Sequence, residues 1–422
     1  MPELRITGVR AITCCPDGSN LVVVRIDTNQ PGLYGLGCAT YTQRWKAVVT
    51  AVEEYMAPLL LGRDATRIED AWQTAHGSSY WRNGPVLNNA ISGCDMALWD
   101  ILGKEAGLPV YRLLGGKCRE SAAVYRHADG RDPVEVEDNV RDYLEQGYQY
   151  IRCQMGGYGG SAAVNPMSIN QDAGKAKLRA GQRWLSSPEG STAGAYFDAL
   201  AYMRGTLALF EHIRSMVGPE VELLHDVHER LTPIDAVRLA KGLEPYRLFF
   251  LEDALPPEQV DWFRHIRSHA AVPLAMGELF NNPMEWSALI SERLIDFIRV
   301  HISQIGGLTP ARKLANLCEA HGIRTAWHGP GDVSPVGHAC NVHLDLASPN
   351  FGIQEWCGID ESPQLNEVFS GMPYVKNGFA YVCEKPGFGV DIDETAAKRY
   401  PCFAELPEWT LTRLPDGTAV RP

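Results

Sequence analysis

The sequence lacks several features that would have decided its class at once. It has no CxxC pair, no long basic run, and no stretch near the ~18 to 20 uninterrupted apolar residues that cross a bilayer. The eleven cysteines are scattered, so they read as reduced, mostly buried small hydrophobes and not as a disulfide framework. With 39 Lys and Arg against 51 Asp and Glu, the net charge of -12 argues against a phosphate-backbone partner, and no nucleic acid or membrane is expected. The N-terminal MPELRITGVRAITCC has no basic segment followed by an apolar one, and a cytoplasmic location is expected. An acidic protein that binds a small anion needs local cations, from a metal or from arginines.

Residues 1–118 read as a unit of their own. LRITGVRAITCC and NLVVVRIDT alternate as strands do, Asn29-Gln30-Pro31-Gly32 supplies a turn, and WKAVVTAVEEYMAPLL, TRIEDAWQTA and NNAISGCDMALWDILGKEAG carry helical spacing. Beyond Ser121 short apolar runs alternate with helical ones, and each run ends in a polar residue: His127, Arg152, Asp226, Glu252, Glu278, Arg299, His328 and Glu355. The intervals are 25, 74, 26, 26, 21, 29 and 27 residues, each but the second about one strand and one helix. Eight such units make a (β/α)8 barrel, whose chemistry sits at the C-terminal ends of the strands. The expected fold class is therefore α/β, a TIM-like barrel over 119–395 with an N-terminal α+β capping domain and a C-terminal segment, 396–422, returning to the cap. The long interval holds a Gly/Ser-rich insertion, either a loop over the barrel mouth or a solvated excursion without function.

Asp226, Glu252 and Glu278 end three consecutive runs. Neighbouring strands lie ~4.8 Å apart, so three acids at one height crowd negative charge unless a cation is present. Oxygen ligands without cysteine favour Mg²⁺ over Zn²⁺. The alternative is that the three cap helices or pair with arginines. By strand alternation His228 shares the face of Asp226, whereas His225 points the other way and packs behind the barrel. A metal with His228, His328, Arg152 and Arg299 forms a site for an anion that undergoes proton transfer. The first run ends in YRH with no His-x-His, and no run ends in lysine, which speaks against a zinc hydrolase and a Schiff-base aldolase.

AISGCDMALWDILGKEAGLPVYRLLGG, residues 90–116, resembles the link between cap and barrel in the enolase superfamily. YRHADG, YIRCQ, LLHDVHERLTPIDA, HGPGDVSPV, PNFGIQEW and EKPGFGVDID resemble motifs of its D-mannonate dehydratase group, also called starvation-sensing proteins. The resemblance implies a hydro-lyase, a Mg²⁺-dependent dehydratase of D-mannonate or D-gluconate type that yields a 2-keto-3-deoxy acid by way of an enediolate. It implies Asp226, Glu252 and Glu278 as Mg²⁺ ligands, His228 as the acid for the leaving hydroxide, and Tyr158 as the base, oriented by Arg152. Thr42, His127, Arg299, His328, Asp332 and Glu355 would hold the sugar acid, and the protein would be a homo-oligomer. Arg152-Cys153-Gln154 stands where many superfamily members carry Lys-x-Lys, so no lysine base is expected. Thr42 and Pro330 stand where the group has Asn and Ala, and DGTAVRP replaces its tryptophan-containing terminus. A racemase or epimerase, a dehydratase of another acid sugar, and a non-catalytic metal-binding regulator are the alternatives.

Overall fold

Every apolar run beyond Ser121 contains a strand, and the polar residue that closes it lies in that strand or within three residues of it. The computed structural model describes residues 3–156, 195–405 and 410–422. Packing divides the chain into two units: Met1–Val124 with Gly277–Ile290 and Phe297–Ala404, and Tyr125–Met276 with Ser291–Asp296 and Glu405–Pro422.

The first unit begins with an antiparallel sheet of β1 (Ile6–Cys14), β2 (Leu21–Thr28) and β3 (Tyr34–Cys38). Val22, Val23, Val24 and Ile26 are buried in β2, the middle strand. The helix α1 (Pro85–Ala106) lies on β3 at backbone contact, because a Cβ at Gly37 would stand 2.0 Å from the Gly93 carbonyl oxygen. Polar side chains of α1 tie it to earlier and later parts of the same unit. Asn88 donates to the carbonyls of Asn281 and Gln304, at 2.8 and 2.7 Å. Asp100 accepts from the backbone N–H groups of Leu36 and Phe388, at 2.9 and 2.8 Å.

The second unit carries parallel strands in the order β4 (Ala122–Gly130, from Tyr125 onward), β5 (Tyr150–Met155), β6 (Glu222–Asp226), β7 (Phe250–Glu252) and β8 (Leu274–Met276). Ile151, Leu223, Leu224, Phe250, Leu251 and Leu274 are fully buried, as expected of parallel strands covered on both faces. The helices α2 (Pro133–Glu145), α3 (Ala199–Val217) and α4 (Pro233–Leu243) start where Asp132, Asp198 and Thr232 accept from backbone N–H groups of the first turn.

The first unit resumes with β9 (Phe297–Ile298), the helix α5 (Leu308–Ala320), β10 (Arg324–Thr325), α6 (Pro335–Ala347) and β11 (Gln354–Glu355). β9 and β10 pair in parallel, and the His328 N–H continues the ladder to the Val300 carbonyl at 3.1 Å. Asp95 of α1 caps α5, accepting from the Thr309 N–H at 2.9 Å and from its hydroxyl at 2.5 Å. The end of the chain divides between the units. Phe403 bonds Asn20 through its N–H at 3.0 Å in the first, whereas Thr412–Arg413 pairs in parallel with Ala195–Tyr196 in the second. All eleven cysteines are free, and no described helix is long and apolar enough to cross a membrane.

Candidate active site

In the second unit Asp226 and Glu252, the last residues of β6 and β7, are direct register partners, and both are buried. Two carboxylates on adjacent strands repel unless a cation stands close. Arg152, on β5, is one source of positive charge: Nη1 lies 3.6 Å from Asp226 Oδ2 and donates to Gln154 Oε1 at 2.6 Å, while Nη2 donates to Asp129 Oδ1 at 2.9 Å. His127, on β4, is the register partner of Arg152. The donor set of Asp226 and Glu252 is all oxygen, which fits a hard divalent cation such as Mg²⁺.

Strand alternation does not extend to His228, because β6 ends at Asp226. The chain turns instead through left-handed backbone at His228 (φ 58°) and Glu229 (φ 54°), with Asp253 at φ 40° beyond the end of β7. Non-glycine residues avoid this region, so the turn needs support. Support comes from the His228 N–H to Asp226 Oδ1 (2.8 Å), the Val227 N–H to the Glu252 carbonyl (3.0 Å) and the Glu229 N–H to the Asp253 carbonyl (2.7 Å). The outcome agrees with the sequence reading by a different route: a ring nitrogen of His228 lies within 4.8 Å of an Asp226 carboxylate oxygen. His225 points away, as expected. It donates from Nδ1 to the Cys153 carbonyl (2.9 Å) and accepts at Nε2 from the Tyr202 hydroxyl (2.7 Å), and burial pushes its pKa down to about 4.

In the first unit Glu278, Arg299, His328 and Glu355 form a charge-paired group. The Arg299 guanidinium spans two acids, donating from Nη1 to Glu278 Oε2 at 2.9 Å and from Nη2 to Glu355 Oε2 at 2.5 Å. Glu278 Oε2 also pairs with His328 Nε2 at 3.2 Å, and Glu355 Oε2 accepts the Gly329 N–H at 2.7 Å. Burial alone lowers the pKa of His328, but Glu278 and Glu355 outweigh it and raise the value above normal. Burial raises the pKa of Asp332, which lies in the turn after His328. The Thr42 hydroxyl lies 3.5 Å from the Asn20 carbonyl. Tyr158 lies outside the described residues.

The sequence reading missed His301, which is buried with its ring centroid 5.1 Å from that of His328. Its spacing of two from Arg299 is the signal that could have found it.

Two family models match the chain: "Mandelate racemase / muconate lactonizing enzyme, N-terminal domain" over residues 9–115, and "Enolase C-terminal domain-like" over 135–396. A D-galactonate dehydratase family member from Musicola paradisiaca is 56% identical over 422 residues, covering 100% of both chains. Another from Salmonella virchow is also 56% identical over 422 residues, with the same full coverage. The crystal structure of an enolase from Pantoea ananatis with bound D-gluconate and Mg is similar with a TM-score of 0.93 at 55% identity, covering 99% of this chain and 100% of that one. The fold is accordingly an N-terminal capping domain followed by a (β/α)8 barrel-like domain. Matched from end to end by relatives of that name and carrying both superfamily domains in order, the chain belongs to the D-galactonate dehydratase family of the enolase superfamily.

Proposed function

We propose that the protein is a Mg²⁺-dependent dehydratase of sugar acids, with D-gluconate and D-mannonate as the first substrates to test. The observation that carries this reading is the buried, in-register pair of Asp226 and Glu252 with a His228 ring nitrogen within 4.8 Å of Asp226. D-Gluconate and Mg in the Pantoea ananatis relative support the ligand class. D-Mannonate enters through the motifs around His127, Arg152, His228 and Asp332.

Asp226, Glu252 and Glu278 are the residues that would hold Mg²⁺, which when bound supplies positive charge next to the substrate carboxylate as its α-proton is removed. Tyr158 accepts that proton, and the positive charge of Arg152 favours the phenolate. His228 delivers a proton from its ring to the 3-hydroxyl, which leaves as water, and the remaining enol becomes the 2-keto-3-deoxy acid. Arg299 acts one step away from substrate, because its fork fixes Glu278 and Glu355. His127, His328, Asp332 and Glu355 line the substrate.

The test is a panel of hexonates and pentonates, D-galactonate included, incubated with protein and Mg²⁺ and assayed for keto acid with semicarbazide. The reading expects product from at least one acid and none after EDTA treatment. Silence across the whole panel would refute it.

A further inference from the structure

Three buried polar atoms in the first unit belong to residues that stand close together. They are His301 Nε2, His328 Nδ1 and Asp332 Oδ1; a ligand atom from each residue lies within 4.8 Å of the others, and none of the three named atoms has a hydrogen-bond partner among the described residues. The residue types suit a metal ion, but the hydrogen bonds do not. His301 Nδ1 accepts the Ser303 N–H at 3.2 Å, and burial together with the neighbouring His328 holds the ring neutral. A neutral imidazole whose Nδ1 accepts carries its proton on Nε2, and a protonated nitrogen is not a ligand. His301 therefore presents an N–H donor. Asp332 Oδ1 is a buried acceptor in the same cluster, and His328 is anchored through its other nitrogen to Glu278 at 3.2 Å.

A buried donor and a buried acceptor left without partners cost free energy unless something fills the space between them. A hydroxyl group both accepts and donates, and so answers both. We propose that His301 is a substrate-binding residue, and that His301, Asp332 and His328 form a cup for one hydroxyl of a polyhydroxy acid, which accepts from His301 Nε2–H and donates to Asp332. The cup rests on the sugar-acid reading above and adds to it a residue and a hydrogen-bond polarity.

The experiment compares wild type with His301→Asn, an exchange that keeps an acceptor for the Ser303 N–H while withdrawing the donor from the cup. Both proteins, with Mg²⁺ present, are titrated with the parent aldonate and with each of its monodeoxy analogues, and KM and kcat are measured for every acid that turns over. In wild type one deoxy position is expected to lose about ten- to hundredfold in affinity, since its absence strands both partners. His301→Asn is expected to raise KM for the parent acid by a similar factor, with a smaller change in kcat, and to lose discrimination at that one position. Equal discrimination in the two proteins, or a parent KM within about twofold of wild type, overturns the cup, because a real partner costs at least that much to remove. If His301→Asn melts early, the wild-type series decides alone: uniform affinity for every monodeoxy acid overturns the proposal. A wild type that neither binds nor converts any aldonate removes the function beneath the cup, which is a distinguishable failure.

Discussion

Arg299 is 1% exposed and holds Glu278 and Glu355 with the two arms of one guanidinium, at 2.9 and 2.5 Å. Its planar fork reaches both acids together, and a lysine ammonium is a single point charge. Removing it takes the shared guanidinium away from both carboxylates, so Arg299→Met should cost about 3–5 kcal/mol in urea unfolding, with Arg299→Lys recovering only part. His228 is a different case. The residue is only partly buried and its backbone is held through Asp226, so His228→Asn should leave folding and Mg²⁺ binding in place while slowing dehydration about 10²- to 10⁴-fold. Asp226 and Glu252 were legible in the sequence because an acid that closes an apolar run has one place to go, the strand's C-terminal end. The direction of His228 was not legible, since it depends on two left-handed residues that no propensity signals. His301 was passed over because one histidine in an apolar stretch reads as core until its neighbours are known.

At the scale of elements, the contact between α1 and β3 depends on hydrogen atoms where other residues carry side chains. A Cβ at Gly37 would meet the Gly93 carbonyl oxygen at 2.0 Å, and one at Gly35 the Ala97 carbonyl oxygen at 1.9 Å. Backbone atoms cannot yield as a flexible side chain can, so Gly37→Ala should destabilise the protein by at least about 1–3 kcal/mol, seen as a lower urea midpoint. The periodicity of residues 88–106 announced the helix, yet the glycines that let it approach a strand carry no periodic signal. The barrel strands were legible as apolar runs bounded by helical spacing. Their lengths were not: β9, β10 and β11 are two residues long, because the ladder continues through single hydrogen bonds such as His328 N–H to Val300 and no strand-length pattern is needed. Asp95 reads in the sequence as one more acid in α1, and only the fold reveals it as the cap of α5.

For the molecule as a whole, the eight spaced runs were enough to point to a barrel, and the -12 charge argued against a nucleic-acid partner and required local cations for any bound anion. What composition does not reveal is the response to acid. His225, His338 and His343 are buried, and burial brings each to a pKa of about 4. The unfolded chain binds protons at these rings near pH 6.5, so between about 6.5 and 4 it binds more protons than the folded one. Their contribution to stability is present above that window and is lost as pH falls through it. His225→Gln should therefore show a shallower fall of the urea midpoint than wild type over the same interval, and parallel curves would remove His225 from the account.

The central claim is that Asp226, Glu252 and Glu278 serve one cation. Calorimetric titration of metal-free protein with Mg²⁺ tests it most directly, run on wild type, Asp226→Asn, Glu252→Gln and Glu278→Gln. One equivalent bound by wild type and lost in all three variants, each still folded, is the predicted result. A variant that binds Mg²⁺ as tightly as wild type contradicts the claim for its residue, and three such variants end it.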